Sequence, residues 1–565
     1  MGTSQTYICS FVGSSEEFME REHIDRRSLM KRFGASAGVG VALAGCSGET
    51  DDDTDGSESL DDGSESTSGD TDDDTLVATE PLYPTTFDPH NHASTNTYQM
   101  INQSLFEPLL YNDEATDDEG NYLVDPYPGL ATDWEFVSDD ETELRFYLRE
   151  GVTFHNGDEF TPEDVVFTFQ RQFDVEESEI GAPGLTELPQ YEDMVVVDDE
   201  FAVDLILSNA SPKTIDRVCG TPVIMNEAFV EANDPAEDPM GTGPYQIEDR
   251  TEGEELVYTY YEDYWGEEPD FSTVRWKIAP ETQTQVSQVQ AGETDLAVEI
   301  NPQGLDQLSD YDGAHTATTP TPRSVFMQMR NVGDDTPFQS KEFRQAMCLA
   351  IDNEDIVENV VGEYGDPTTT LAPDILPETH PDLEPYPYDP KRAEELVSES
   401  GLEGTEFELH TPQGRYLRDS EVAQAVVEDI DSLSNVSCSV NIRDSNSWIS
   451  DLTSDDASDQ PMASIVGWGG ADFLVKTAVV QCSLVEGSWG GNCYDELEDL
   501  IDEANTIEEY DPYIEASREI SRWLHEEYVN VWLYNSFNLY GMSDRVEFDP
   551  RIDEGVYPAM VRRSE

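Results

Sequence analysis

The chain has 565 residues, of which 123 are acidic and 29 basic, for a formal charge of −94 at neutral pH. Nucleic acid is excluded as a partner, because phosphate neutralisation needs Lys and Arg, and anionic lipid surfaces are disfavoured for the same reason. The acids are spread among ordinary apolar and aromatic residues, the pattern of a halophile's surface, where molar salt cuts the Debye length to about 3 Å and screens self-repulsion. A lone Asp or Glu in such a chain therefore says little about function, whereas each retained Arg or Lys says more than usual.

The length predicts several domains rather than one core. At the N-terminus, Arg26-Arg27 in Asp25-Arg-Arg-Ser-Leu-Met-Lys31 is a twin-arginine pattern, followed by the short Gly/Ala-rich run from Phe33 to Ala44 and then Leu43-Ala-Gly-Cys46. That run falls short of the roughly 20 apolar residues a membrane helix needs, so residues 1–45 read as an export signal, with Met19 an alternative start. The Leu-Ala-Gly-Cys ending resembles a lipobox, whose cleavage would leave Cys46 to carry lipid and anchor the chain outside the membrane; a chance small-residue site with an incidental Cys is the competing reading. Ser47 to Thr75 is Ser, Thr, Gly and acid with one Leu and no basic residue, which predicts that residues 46–75 form a disordered tether.

The folded body begins at Leu76. A strand-like Leu-Val-Ala-Thr leads to Phe87-Asp88-Pro89-His90 and an amphipathic run carrying Met100, Ile101, Leu105 and Leu109. Leu144, Phe146 and Leu148 alternate as a half-buried strand requires. Thr161-Pro162-Glu163-Asp164 opens a helix with a hydroxyl at its N-cap, proline at the first position and an acid at the third, its apolar face formed by Val165, Val166, Phe169 and Phe173. Asp389, Pro390 and Gly401 delimit another helix, and Leu497, Leu500, Ile501 and Ala504 form the buried stripe of a third.

Late in the chain, Ser464-Ile-Val-Gly-Trp468-Gly-Gly-Ala-Asp472-Phe473 predicts a buried strand running into a turn that three glycines free for close approach. Trp468 and Asp472 are presented at that exit, as a ligand mouth or as a plain strand turn with a capping Asp. Cys482 and Cys493 are close enough to suggest a local bridge in an oxidising compartment, which would contribute about 3 kcal/mol in the entropy model. Cys219, Cys348 and Cys438 are buried thiols or long-range partners. Catalytic patterns are missing: there is no Gly-x-Ser-x-Gly elbow, P-loop, His-Glu-x-x-His or dinucleotide glycine run. His90 and His92 are the one close histidine pair, open to a metal or a turn-capping role, and His155 sits in a turn.

The succession Phe87-Asp88-Pro89-His90, Pro128-Gly-Leu-Ala-Thr-Asp-Trp134-Glu, Leu148-Arg-Glu-Gly-Val-Thr-Phe-His155-Asn-Gly and Thr161-Pro-Glu-Asp-Val-Val-Phe-Thr-Phe169 resembles the N-terminal lobe of the extracellular solute-binding proteins, family 5, the dipeptide and oligopeptide binders of ABC importers. The series continues through Gly241-Thr-Gly-Pro-Tyr245, Asp263-Tyr-Trp-Gly266, Gln290 to Leu296, Phe343 to Asp352 and Asp389 to Leu396. The resemblance implies an α/β, two-lobed class II periplasmic-binding-protein fold with an enlarged first lobe and two hinge crossings. Lobe I would span 76–318, lobe II 319–530, and 531–565 would return to lobe I. It also implies a protein that is no enzyme and takes no cofactor, a monomer that encloses a peptide-like ligand and hands it to an ABC permease. An oligosaccharide, a nickel chelate or another small solute is the alternative cargo, and a chemoreceptor module or a hydrolase the more distant one.

By the same resemblance, Asp472 would accept the ligand's α-ammonium, although its spacing from Trp468 is one residue longer than usual and Leu474-Val475 stand where Asp-Pro is common. The Cys482 and Cys493 pair resembles a bridge that follows this loop in dipeptide binders. Trp448 resembles a tryptophan that walls the ligand cavity, with a core Trp as the competing reading. Arg415 is a candidate for the ligand carboxylate through bidentate pairing, against a surface ion pair. Phe87 and Asp88 lie in the segment that usually lines the cleft.

Overall fold

The computed structural model describes residues 73–92, 95–116, 121–173, 188–333, 336–362, 364–452, 454, 460–470, 472–480 and 491–564. Arg26, Arg27, Met19, Cys46 and Cys482 lie outside them. Among the described residues no helix is long and apolar enough to cross a membrane.

One sheet runs through the body. Its strands lie in the order Val436–Asp444, Thr405–Gln413, Ala463–Trp468, Ala314–Met329, Val531–Ser543, Leu296–Ala297, Thr75–Glu80, Thr273–Ile278, Glu255–Tyr260 and Tyr245–Thr251, with Gly365–Pro367 added against Val531–Ser543. Two of these strands are far longer than the rest, Ala314–Met329 and Val531–Ser543, and they pair antiparallel with each other. Their two ends serve different cores. Val325, Phe326, Met327 and Met329, with Val531, Trp532, Leu533 and Tyr534, pack into a core built wholly from residues 325–534. The other ends, Tyr540 and Met542, join Leu76, Ala78, Tyr258, Trp276 and Leu296 in a first-body core, while Leu539 packs with Val286, Ile300 and Leu308. The chain thus forms two bodies joined by two crossing strands. The expected limits at 318/319 and 530/531 fall at these strands, and Val531 to Tyr534 still belong to the second body's core.

The first body carries an extension of its own. Ala131–Phe136, Glu143–Leu148, Ala202–Leu207 and Tyr191–Val196 form a four-stranded antiparallel sheet, and Leu144, Phe146 and Leu148 turn inward on the helix Pro162–Phe173. Full burial of each such side chain contributes roughly 1.5–3 kcal/mol. The predicted cap of this helix is inverted. The Thr161 amide and hydroxyl both donate to the Asp164 carboxylate at 2.9 Å, so the acid at the third position is the acceptor. Helix Pro390–Ser400 follows expectation, with Asp389 accepting from the Arg392 amide and Gly401 in the left-handed region at φ +76°. The run expected through Leu109 is helical only from Thr95 to Leu105, because the chain is extended at Phe106. Cys219, Cys348 and Cys438 are free thiols.

Candidate functional site

The crossing strand Ala314–Met329 shifts register against Val531–Ser543 between Pro320 and Ser324. Such a bulge re-aims side chains, and here it sends Arg323 into the junction between the bodies. Arg323 Nε and Nη2 donate to the two oxygens of Glu554 at 2.8 and 2.5 Å, Nη2 also reaches Thr95 Oγ1 at 3.0 Å, and Nη1 donates to the Gly467 carbonyl at 3.2 Å. One guanidinium thereby binds the first body to the predicted turn of the second. The glycines of that turn are needed for it. A Cβ on Gly467 would stand 2.7 Å from the Tyr416 ring, and one on Gly469 would stand 3.2 Å from Arg323.

Beside this clasp lies a cavity lined by Glu80, Leu82, Thr95, Asn96 and Glu299 from the first body and by Arg323, Arg415 and Tyr416 from the other side. Its interior amounts to about 30 Å3, room for at least one water molecule. Its acidic wall is unusual. Glu80 ends the strand Thr75–Glu80, is 0% exposed, and neither carboxyl oxygen has a hydrogen-bond partner. Glu299 is held at φ +55°, a region that costs a residue with a side chain of this kind about 1–3 kcal/mol. Burial and then the Glu299 charge push the Glu80 carboxyl well up. Burial and then Glu554 push Glu299 to about 7 against the opposing pull of Arg323 and Arg415.

Arg415, one of the expected site residues, is at this wall. Its Nε donates to the Tyr416 hydroxyl at 3.1 Å, and its guanidinium lies 5.6 Å from the rings of both Tyr416 and Trp448. Trp448 itself is 0% exposed and meets Tyr416 edge-on at 6.0 Å. It is a core residue that supports the cavity's lining from behind, not a wall of it. Trp468 is half-buried at the strand end opposite Ser324, packed against the second core.

Asp472 stands at a second junction point. Its Oδ1 accepts from the Val475 amide at 3.1 Å, capping the short helix Phe473–Lys476, and its Oδ2 accepts from Arg217 Nε at 2.8 Å. Arg217 comes from the first body's helix Thr214–Val218, has a side chain 1% exposed, and also donates to Gln190 Oε1 and the Tyr513 hydroxyl. Lys213, one turn away, lies 3.6 Å from the buried Glu378. Burial raises the Asp472 pKa, but the charge of Arg217 and its hydrogen bond outweigh it and hold the carboxyl below its usual range. The cationic place beside Asp472 is thus filled by the protein's own guanidinium.

Phe87 and Asp88 are placed elsewhere. Phe87 packs in the first core under Arg250, and Asp88 is paired with Arg171 at 2.5 Å and accepts from the His90 amide. His90 donates from Nε2 to the Val223 carbonyl at 2.8 Å and faces Arg171 with Nδ1 at 3.0 Å, so both ring nitrogens serve the fold. His155 packs on Tyr261, with Nε2 3.0 Å from the Gly243 carbonyl. Among the described residues no three His, Cys, Asp or Glu side chains converge as a metal site. Cys493 is in a disulfide, and its expected partner Cys482 lies outside the described residues. Glu80, Glu299, Arg323, Glu554 and Arg217 escaped sequence reasoning. The scarcity of basic residues could have flagged the two arginines, but one acid among 123 carries no such signal.

Comparison with known proteins gives the same architecture. Residues 125–483 match the profile of the bacterial extracellular solute-binding proteins, family 5 Middle. The dipeptide-binding protein of Escherichia coli (strain K12) is 24% identical over 490 residues, covering 80% of this chain and 88% of its own. The heme-binding protein A of Haemophilus influenzae is 26% identical, with 62% of its length covered. A dipeptide-binding protein from Pseudoalteromonas sp. SM9913, solved with Met-Leu, superposes with a TM-score of 0.78 at 20% identity, over 87% of this chain and all of that one. The two-bodied α/β architecture with paired crossing strands is therefore that of the family 5 binding proteins, and the chain belongs to the bacterial extracellular solute-binding proteins, family 5.

Proposed function

We propose that the chain captures a peptide-like solute between its two bodies and presents it to an ABC permease. The observation that carries this reading is a polar cavity with walls from both bodies, seated at the two strands that join them. A ligand touching both walls favours the closed arrangement by its differential contacts, and a transporter can recognise that shift in population. No bond is broken in this role.

Arg415 is assigned the ligand's carboxylate, since it borders the cavity from the second body and its ring contacts with Tyr416 and Trp448 orient its planar donors. Asp472, to which the resemblance would give the α-ammonium, is left out of the proposed ligand contacts, because it holds Arg217. Trp468 and Trp448 support the turn and the lining rather than touch the ligand. The twin arginines Arg26 and Arg27, the lipid-bearing Cys46 and the acidic stretch 46–75 suit a monomer exported and then tethered outside the cytoplasmic membrane, with a surface suited to molar salt.

The test is to purify the protein in molar salt, identify by mass spectrometry what co-purifies, and titrate with di- and oligopeptides. Saturable binding of peptides is expected. Binding of sugars alone would remove the peptide reading.

A further inference from the structure

The protein buries a carboxyl group at the ligand cavity and gives it nothing to bind. Glu80 is buried, with both oxygens unmet, and the charge that acts on it is that of a second carboxyl, Glu299. An unmet buried polar group is costly and an unpaired buried charge more so, so such groups mark a site whose partner arrives from outside. The cations already present make no hydrogen bond to Glu80. Arg323 spends its donors on Glu554, Thr95 and the Gly467 carbonyl, and Arg415 is turned onto Tyr416 and Trp448. Thr95 and Asn96 complete the polar rim, and Leu82 supplies one apolar face. Across the junction the situation at Asp472 is opposite, for its carboxylate already holds a guanidinium from the first body.

We propose that Glu80, with Glu299, is the receptor for a cationic group of the ligand, a primary ammonium or a guanidinium, and that Asp472 is not. The polar walls drawn from both bodies suit a single such head group at the cavity's mouth. An ammonium brings three donors and a guanidinium five, enough to meet both Glu80 oxygens and still reach Glu299. With Arg415 on the opposite wall, the ligand would lie with its positive end on the first body and its negative end on the second. This rests on the junction being the ligand cleft, and it specifies the chemistry of that ligand.

The experiment compares the full chain with its Glu80→Gln, Glu299→Gln and Asp472→Asn variants by calorimetric titration in molar salt. The probes are Ala-Ala, N-acetyl-Ala-Ala, L-lysine, L-arginine, spermidine and maltose. Glu80→Gln keeps the shape and removes the capacity to ionise from a group with no partner, so the fold is expected to survive, and a thermal melt checks this. Wild type is expected to prefer Ala-Ala over its acetylated form by about 10- to 100-fold, the range of a charge-assisted pair. That ratio should collapse toward one in Glu80→Gln, fall in Glu299→Gln and persist in Asp472→Asn. A ratio that persists in Glu80→Gln and collapses in Asp472→Asn overturns the proposal. If no dipeptide binds but a free cation does so in a Glu80-dependent way, the peptide reading fails and the cation receptor stands. If none of the cationic probes binds, or they bind Glu80→Gln as well as wild type, the receptor is refuted.

Discussion

Asp472 and Glu80 are both carboxyls buried where the two bodies meet, and they differ in what surrounds them. Asp472 faces Arg217, Lys213 and the helix amide of Val475, so its charge is met within the protein. Glu80 faces another glutamate and has no hydrogen-bond partner. The first arrangement closes the bodies on each other without a ligand's help, and the second leaves room for something positive. The contrast shows that the residue best matched by family resemblance can be one the protein has already satisfied, while an acid indistinguishable in sequence from its 122 fellows is left open.

The largest effect is expected where the comparison is broken on its satisfied side. Arg217→Met leaves Asp472 charged, buried and unpaired, and should cost about 3–5 kcal/mol in chemical denaturation. Adding Asp472→Leu should recover much of that loss, since removing both members of a buried pair is far milder than removing one. Recovery of nothing would mean that Arg217 acts through Gln190 and Tyr513 instead. Because the pair is shielded from solvent, its contribution should change little between low and molar salt.

Gly467→Ala perturbs the open side. The new Cβ would meet the Tyr416 ring at 2.7 Å and press it toward the cavity, at a cost of about 1–3 kcal/mol. Ligand affinity should fall in this variant while the Arg217 contact with Asp472 is retained. Equal stability and affinity to wild type would show that the ring can yield without entering the cavity.

Glu80→Gln should act in the reverse sense on the empty protein and stabilise it by about 1 kcal/mol near neutral pH, because glutamine cannot ionise and so removes the cost of a carboxyl whose charged form burial disfavours. A carboxyl raised in the fold contributes stability that is present below its unfolded pKa and is lost as pH rises through its folded one. The denaturation free energy of Glu80→Gln should therefore fall less than wild type's as pH climbs above the ordinary carboxylate range. A steeper fall would refute the burial argument.

The smallest effect is a pH dependence of binding. Glu299, raised from 4.5 to about 7, faces Glu80 and Glu554 and the opposing charges of Arg323 and Arg415. Its deprotonation as pH rises through that value should strengthen binding of an ammonium probe several-fold, and Glu299→Gln should flatten the profile. His90 and His155, both lowered to about 4 chiefly by burial, give an independent signature in the first body. Their stabilising contribution is present above the ordinary 6.5 and is lost as pH falls through 4.

Much of the fold was legible because it depends on local rules. Alternation marked the strand Glu143–Leu148, Asp389 and Gly401 bounded the helix between them, and the apolar run before Trp468 was a buried strand. The capping role of Asp472 was also among the readings open from sequence. The site was less legible. Phe87 and Asp88 went to the first core and Trp448 behind the cavity, because proximity in the chain to a cleft segment does not say which way a side chain turns.

By itself, the sequence carried the family 5 architecture in the order of its motifs, and the buried strand before Trp468 in its apolar run. The first rests on resemblance to known motifs and the second on a short apolar run, both of which are properties of residues near one another in the chain. Only the tertiary structure decided which carboxyls are satisfied. Arg217 and Asp472 are 255 positions apart, and Glu80 and Glu299 more than 200, so their pairing or lack of it is set by how two bodies close on one another. In a chain with 123 acids, charge alone cannot mark a site; burial and the presence or absence of a partner can.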